Sequence, residues 1–233
     1  MSDLPRLPSL PLPLLNRLRA RRARLRWWWH VQAPRAAKRA LDLLVVVPAL
    51  VLLSPLFAAV ALAIRCQDGG SALFWQRRVG RDGVEFAFPK FRSMRLDAEA
   101  VQLALAATNQ HGPAGVTFKM KRDPRITPVG RLIRRASIDE LPQLWCVLRG
   151  TMSLVGPRPP LVGEVARYTL DERQRLAVTP GLTCIWQVSG RSEVPFPEQV
   201  QMDLAYIRQP SLRADVGLLL KTLPAVVRGR GAY

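Results

Sequence analysis

The chain has 233 residues, 48% of them hydrophobic, and its 35 lysines and arginines against 17 acids give a net charge of +18. That length and apolar content support one compact domain with appendages, and the excess of basic charge seeks an anionic partner. His30 and His111 are the only histidines, and Cys66, Cys146 and Cys184 show no CxxC spacing, which argues against a His-rich zinc centre or a histidine-based triad and favours a reduced, cytosolic catalytic part.

Half of the excess charge lies at the start: residues 1–40 hold ten basic side chains against Asp3 alone. The arginines between Arg17 and Arg26 run into Trp27-Trp28-Trp29 and then into the apolar stretch Leu41–Ile64, the order expected of an arm on anionic lipid head groups followed by a membrane segment. Away from lipid the same arm reads as a solvated tail. As a straight helix the 24-residue run would reach roughly 36 Å, enough for a hydrocarbon core of about 30 Å. Pro55 removes a helical donor and clashes with the carbonyl of Val51, so a kink is predicted near Ser54. Basic residues flank the run on both sides, Arg35, Lys38 and Arg39 before it and Arg65, Arg77 and Arg78 after it. The positive-inside rule therefore gives no direction, and both a kinked single span and a helix that returns to the cytosolic side stay open.

Beyond Arg65 a small soluble unit is predicted. Leu73–Val79 and Val84–Phe88, joined through Gly80-Arg81-Asp82-Gly83, read as a β-hairpin with Lys90-Phe91-Arg92-Ser93-Met94 at its exit. Asp97–Ala107 has helical character. Thr127 and Pro128 form an N-cap and first-turn proline for a short helix through Ile133, which brings Arg131, Arg134 and Arg135 towards the carboxylates that follow.

Ser137-Ile138-Asp139-Glu140 matches a capping box, with Glu140 bonding back to the backbone of Ser137. The alternative is chemical: Pro142 disfavours helical geometry at Leu141, so a helix starting there would leave both carboxylates at its mouth, ionised by the dipole and suited to a nucleophile or metal ligand. Gly156-Pro157-Arg158-Pro159-Pro160 fixes three φ angles and presents one guanidinium from a stiff loop, either a phosphate clamp or an ordinary proline-rich turn. Thr179–Arg191 is apolar with embedded polar groups and ends in a turn offering Arg191. Asp203 falls on the helical pattern Phe196–Ile207, where a surface acid is the plain reading. Val216–Val227 reads as core, or as a segment lying on the membrane.

In order, Lys90-Phe91-Arg92-Ser93-Met94, Ser137–Trp145, Leu154–Pro159, Pro180-Gly181-Leu182-Thr183 and Gln187–Arg191 resemble the bacterial sugar transferases, the monotopic polyprenyl-phosphate phosphoglycosyl transferases. The resemblance covers about residues 35–230. It implies an α/β, mostly helical fold: a small cytosolic catalytic domain with a β-hairpin, built on one kinked re-entrant membrane helix at the inner membrane. The implied organisation is a basic, Trp-containing surface segment over residues 1–34, the re-entrant helix over 35–65 and the transferase domain over 66–233. The implied reaction carries a sugar-1-phosphate from a UDP-sugar to undecaprenyl phosphate, releases UMP and opens exopolysaccharide, O-antigen or related glycan assembly. By the match Asp139 is the nucleophile of a covalent phospho-sugar intermediate and Glu140 holds Mg²⁺. Lys90, Arg134 and Arg158 correspond to basic site residues, Arg191 and Asp203 to polar ones, and Ser54-Pro55 to the membrane kink. Implied partners are the two substrates and membrane lipids, with no nucleic acid and with a homodimer left open.

The chain departs from the family pattern at Cys184, where glycine is usual, at Cys146 in place of asparagine and at Thr151 in place of an acid. Electrostatics agree with the implied chemistry, since two charges at 4 Å repel by about 4 kcal/mol at an effective dielectric near 20, so a carboxylate approached by phosphates needs cations around it. A nucleic-acid binder would explain the charge but not the apolar run. A catalytically inactive membrane scaffold would keep the fold without Asp139, Glu140, Lys90 and Arg158 having a task.

Overall fold

The computed structural model describes residues 33–98, 100–101, 123–190 and 193–228, without the side chains of 223 and 225–228. The basic arm with Trp27–Trp29, most of the helix predicted over Asp97–Ala107, and Arg191 lie outside the described residues. The chain divides into two compact units, Met1–Leu41 and Asp42–Tyr233. Of the first, only the opening turns of α1 are described; the core and the candidate site belong to the second.

Helix α1 runs over Ala33–Asp68 as one 36-residue element with Pro48 and Pro55 inside it. Among the described residues it alone is long and apolar enough to cross a membrane, with a mean hydropathy of 2.7 over its best window. The carbonyl of Val51, which Pro55 cannot serve, accepts instead from the Ser54 hydroxyl at 2.8 Å, the compensation a proline inside an apolar helix needs. The Ser54 hydroxyl thus takes up the carbonyl that Pro55 leaves free, within a helix that continues from Ala33 to Asp68.

From Asp42 onward α1 has two unlike sides. Asp42, Val46, Val60 and Ile64 are buried, and Ala49, Leu50, Leu53, Phe57 and Ala61 are partly so, a spacing of three and four that makes one stripe. Leu44, Val51, Leu52 and Leu62 lie outside the stripe, each more than 60% exposed. The first half of the stripe joins a core of Phe86, Phe88, Leu144, Val147, Met152, Leu154, Val155 and Leu218. Its second half joins Phe91 and Ile133, with Ile138 packed alongside, and Phe57 meets Phe91 edge-on at 5.6 Å between ring centres.

The hairpin of β1 (Leu73–Val79) and β2 (Glu85–Phe91) is antiparallel, with Phe74 opposite Lys90, Gln76 opposite Phe88 and Arg78 opposite Phe86. β2 extends three residues past the predicted end, so Lys90 sits inside a strand rather than at its exit: the strand keeps pairing because Phe91 has a core to enter. Helix α2 (Pro128–Arg135) starts as predicted, Thr127 Oγ1 accepting from the Gly130 backbone N–H at 2.9 Å, and continues two residues beyond the expected end. A side chain on Gly130 would fall 1.9 Å from the Ser93 carbonyl oxygen, so only glycine lets α2 lie against the segment after the hairpin.

A 3₁₀ turn over Ile138–Gln143 leads into α3 (Leu144–Arg149). Then β3 (Ser153–Val155) pairs in parallel with β4 (Gly181–Thr183). Between them lie the short helices α4 (Val162–Val165) and α5 (Leu170–Arg173) and the 3₁₀ turn Gln174–Ala177. The closing elements are α6 (Ile185–Ser189), α7 (Phe196–Arg208) and α8 (Leu212–Arg228). The expected α/β, mostly helical architecture stands, with small sheets. The segment expected as core at Val216–Val227 is instead two-sided: Asp215 and Leu218 point in, whereas Val216 is 44% and Leu220 64% exposed.

A buried polar contact fixes the first half of α1 to this framework, and the Asp68–Arg92 ion pair holds its C-terminal end. Asp42, 4% exposed, accepts at Oδ1 from the Ser153 hydroxyl at 3.1 Å and from the Leu154 backbone N–H at 3.0 Å. A carboxylate in an apolar helix is therefore satisfied by the strand that leads to Arg158. Asp42→Ala leaves a buried backbone N–H without its acceptor and should lower unfolding free energy by about 1–3 kcal/mol, measured by denaturation in detergent micelles. Ser153→Ala, which spares the Leu154 bond, should cost less.

Candidate active site

Asp139 and Glu140 lie within the 3₁₀ turn, and Ser137, the residue before that turn, adopts φ +55°, with no capping bond from its side chain. The capping box does not form, because a left-handed Ser137 turns its hydroxyl away from the turn's N–H groups. A non-glycine residue held there stores on the order of 1–3 kcal/mol, a strain typical of functional turns. The dyad does not sit at an α-helix mouth either: α-helical geometry begins only at Leu144, since the ring of Pro142 permits the tighter turn first.

Among the described residues, four cations act on the pair. Lys90 comes from the hairpin face shared with Arg78 and Phe88, its Nζ 5.3 Å from the centre of the Phe88 ring. Arg134 comes from the last turn of α2. Arg158 donates from Nη2 to Glu140 Oε1 at 3.1 Å, both side chains about a quarter exposed. Arg78, given no role beyond a flanking charge when read as sequence, is 7% exposed, lies 5.1 Å from the Phe88 ring centre and donates to the Pro159 carbonyl at 2.8 Å. Its signal was strand alternation: residues 76, 78, 86, 88 and 90 share one face of the hairpin.

This arrangement separates the two carboxyls. Burial, and then the neighbouring Glu140, pushes Asp139 up to about 6 against the pull of Lys90, Arg134 and Arg158. Burial also lifts Glu140, but Arg158, Lys90 and Arg78 outweigh it and hold that carboxyl at about 2. Burial, Arg78 and Arg158 push Lys90 down to about 7. One carboxylate is thus permanently ionised and hydrogen-bonded, whereas the other carries a basic, poorly solvated charge, the division of labour expected of a reactive pair.

Asp203 has a cation of its own. Buried in α7, it accepts at Oδ2 from Arg175 Nε at 2.8 Å and Nη2 at 2.7 Å, while Arg175 also donates to the Tyr168 hydroxyl at 3.0 Å and faces the rings of Tyr168 and Phe196. The pair ties α7 to the turn Gln174–Ala177 through one carboxylate oxygen of Asp203. The departures from the family pattern are internally satisfied. Cys184 donates to Gln187 Oε1 at 3.0 Å, and the Thr151 hydroxyl donates to the Cys146 carbonyl at 3.1 Å. Burial raises the pKa of both thiols, so they remain protonated.

A family model for bacterial sugar transferases matches residues 33–229. The chain is 46% identical over 197 residues to a galactosyl transferase, CpsE, of Streptococcus agalactiae, covering 84% of this chain and 43% of the relative. It is 41% identical over 202 residues to the exopolysaccharide production protein ExoY of Sinorhizobium fredii, covering 84% and 88%. To the undecaprenyl-phosphate galactose phosphotransferase of Salmonella typhimurium it is 42% identical over 204 residues, covering 87% and 43%. The chain therefore spans less than half of the first and third of these relatives and most of the second.

An acid whose folded pKa lies above its ordinary 3.8 weakens the fold wherever it is ionised, so the penalty at Asp139 is complete above about pH 6 and gone below about pH 4. Asp139→Asn should therefore raise unfolding free energy at pH 7 by about 1–3 kcal/mol, with the gain shrinking towards zero at pH 4. Thermal melts of the two proteins at both pH values measure it.

Proposed function

The chain belongs to the bacterial sugar transferase family, and from that premise we propose that it transfers a sugar-1-phosphate from a UDP-sugar to undecaprenyl phosphate. UMP is released, and the product opens a glycan such as an exopolysaccharide, at the cytosolic face of the bacterial inner membrane. The observation that carries this reading is the convergence of Lys90, Arg134 and Arg158 on Asp139-Glu140, with Ile138, the residue before Asp139, packed into the apolar cluster that Val60 and Ile64 of α1 form with Phe91 and Ile133. A turn joined to the long apolar helix through one cluster can meet a lipid-borne phosphate.

In the proposed mechanism an Asp139 carboxylate oxygen attacks the phosphorus attached to the sugar, and the bond from that phosphorus to the UMP oxygen breaks. The poor solvation that raises Asp139 also makes its ionised form the stronger nucleophile. Lys90, Arg134 and Arg158 take up charge on the phosphate oxygens. Undecaprenyl phosphate then attacks the same phosphorus, and the carboxylate of Asp139 is restored. Because the soluble and lipid substrates arrive in turn, they never share the site.

The donor set suits Mg²⁺. Among the described residues no third metal-binding side chain joins Asp139 and Glu140, and this ion commonly uses one or two carboxylates with water and substrate phosphates supplying the rest. Arg158 occupies Glu140 Oε1, which leaves Oε2 for the cation. Bound there with substrate, Mg²⁺ would neutralise phosphate charge.

Support for a re-entrant α1 comes from its packed stripe. From Asp42 to Ile64 both halves of the helix rest on the same unit, so a straight crossing would strip one half of its partners. The opposite face, with Leu44, Leu52 and Leu62, is left for lipid.

Asp139→Asn should fold yet lose turnover of UDP-galactose with undecaprenyl phosphate by several orders of magnitude, and intact-mass measurement should find a sugar-phosphate adduct on the wild type only. Near-normal turnover by the variant would refute the nucleophile. Excess EDTA should abolish UMP release, Mg²⁺ restoring it better than Ca²⁺. For topology, single cysteines at positions 20 and 170 are introduced with Cys66, Cys146 and Cys184 replaced, and intact cells are treated with an impermeant thiol reagent. Both sites should be protected, and Ser54→Ala with Pro55→Leu should expose position 20. Labelling of position 20 in the otherwise unchanged chain would leave a single-pass anchor.

A further inference from the structure

Gly156–Pro160 is a loop strung between two strands. At its near end the Gly156 N–H donates to the Thr183 carbonyl at 3.0 Å and the Gly181 N–H to the Pro157 carbonyl at 2.8 Å. The two glycines are indispensable to that contact, since a Cβ on Gly181 would stand 2.0 Å from the Gly156 nitrogen. At the far end the loop is bound to β1. Because Pro157, Pro159 and Pro160 have no N–H, the loop can be latched there only through its carbonyls, and donors must come from outside. They are adjacent residues: the Val79 N–H reaches the Pro160 carbonyl at 3.0 Å, and Arg78 Nη1 reaches the Pro159 carbonyl at 2.8 Å. Between the two fastenings Arg158 meets Glu140.

We propose that Arg78 is a positioning residue for the active site: by clamping the Pro159 carbonyl it sets the loop so that Arg158 is held on Glu140. Three observations place it in this role. Its Nε is fixed by Gln76 Oε1 at 3.0 Å and its plane by the Phe88 ring, so the guanidinium is aimed before the loop docks. It is buried, and among the described residues its hydrogen-bond partners are an amide and a carbonyl with no carboxylate, an expensive choice where a neutral donor would serve as a mere latch. Finally, its charge bears on both Glu140 and Lys90, which ties the latch to the electrostatics of the dyad.

The proposal rests on the transferase reading for its kinetic arm only. Wild type, Arg78→Gln, Arg78→Lys, Arg158→Ala and the double variant Arg78→Gln/Arg158→Ala are compared as full chains in lipid nanodiscs. In hydrogen exchange, Arg78→Gln should speed exchange in the segment 156–161 by about tenfold or more, whereas Arg158→Ala, which leaves the latch intact, should not. In turnover of UDP-galactose and undecaprenyl phosphate, Arg78→Gln should lower kcat with KM for the nucleotide sugar moved by less than about threefold. On the Arg158→Ala background it should add less than about threefold, because both changes remove one unit of action. Arg78→Lys, which keeps a donor and a charge, should recover part of the loss and supplies the comparison where Arg78→Gln does not fold. Unchanged exchange in both Arg78 variants overturns the proposal. Multiplicative kinetic effects also overturn it and make Arg78 a direct ligand of the substrate anion. A wild type that turns over none of the UDP-sugars offered defeats the transferase reading instead, and the exchange result then decides the latch alone.

Discussion

Two neighbouring carboxylates in one half-buried turn cannot both be ionised cheaply, and the surrounding structure follows from that constraint. Glu140 is given to Arg158 and so is held charged, while Asp139 keeps the cost of its burial. To deliver Arg158 the chain needs a loop too stiff to move, hence three prolines in five residues; to seat that loop it needs Gly156 against Gly181 on one side and Arg78 with Val79 on the other. Hairpin, parallel strand pair and prolyl loop are three supports of one guanidinium.

The membrane helix is part of the same construction. Its early turns are bonded through Asp42 to β3, which continues into the prolyl loop, and its later turns pack on Ile133 and Ile138, which bracket the approach to Asp139. Both arms of the candidate site thus share α1 as a base. A displacement of α1 relative to β3 would reach Arg158 and Asp139 by separate routes, so their spacing depends on a helix whose outer face is apolar.

What was legible in the sequence was local. Thr127-Pro128 caps a helix because the cap needs only the next three residues; the hairpin, the prolyl loop and α7 are likewise set by neighbours. The dyad's chemistry was legible only through its ordered company, for Ser137-Ile138-Asp139-Glu140 on its own satisfies a capping pattern, and only the φ of Ser137 excludes it. β3 and β4 escaped notice because three residues show no period and their pairing partners lie far along the chain. Arg78 escaped because alternation tells which residues share a face but not which face is turned inward. Asp203 looked like a surface acid because its partner, Arg175, belongs to a short turn without a pattern of its own.

The bond between Asp42 and β3 also has a consequence for biosynthesis. Its partners stand 111 and 112 residues further along the chain, so at about 5–20 residues per second the ribosome delivers β3 roughly 6–22 seconds after Asp42. During that interval the buried partners that Asp42 has in the finished fold do not yet exist, and a carboxylate in an apolar helix is costly to bury unpaired, so that turn of α1 is held towards water. Contacts of such long sequence separation are slow to form. The aspartate that fastens the finished helix therefore remains a polar interruption in its apolar face until the strand that satisfies it exists.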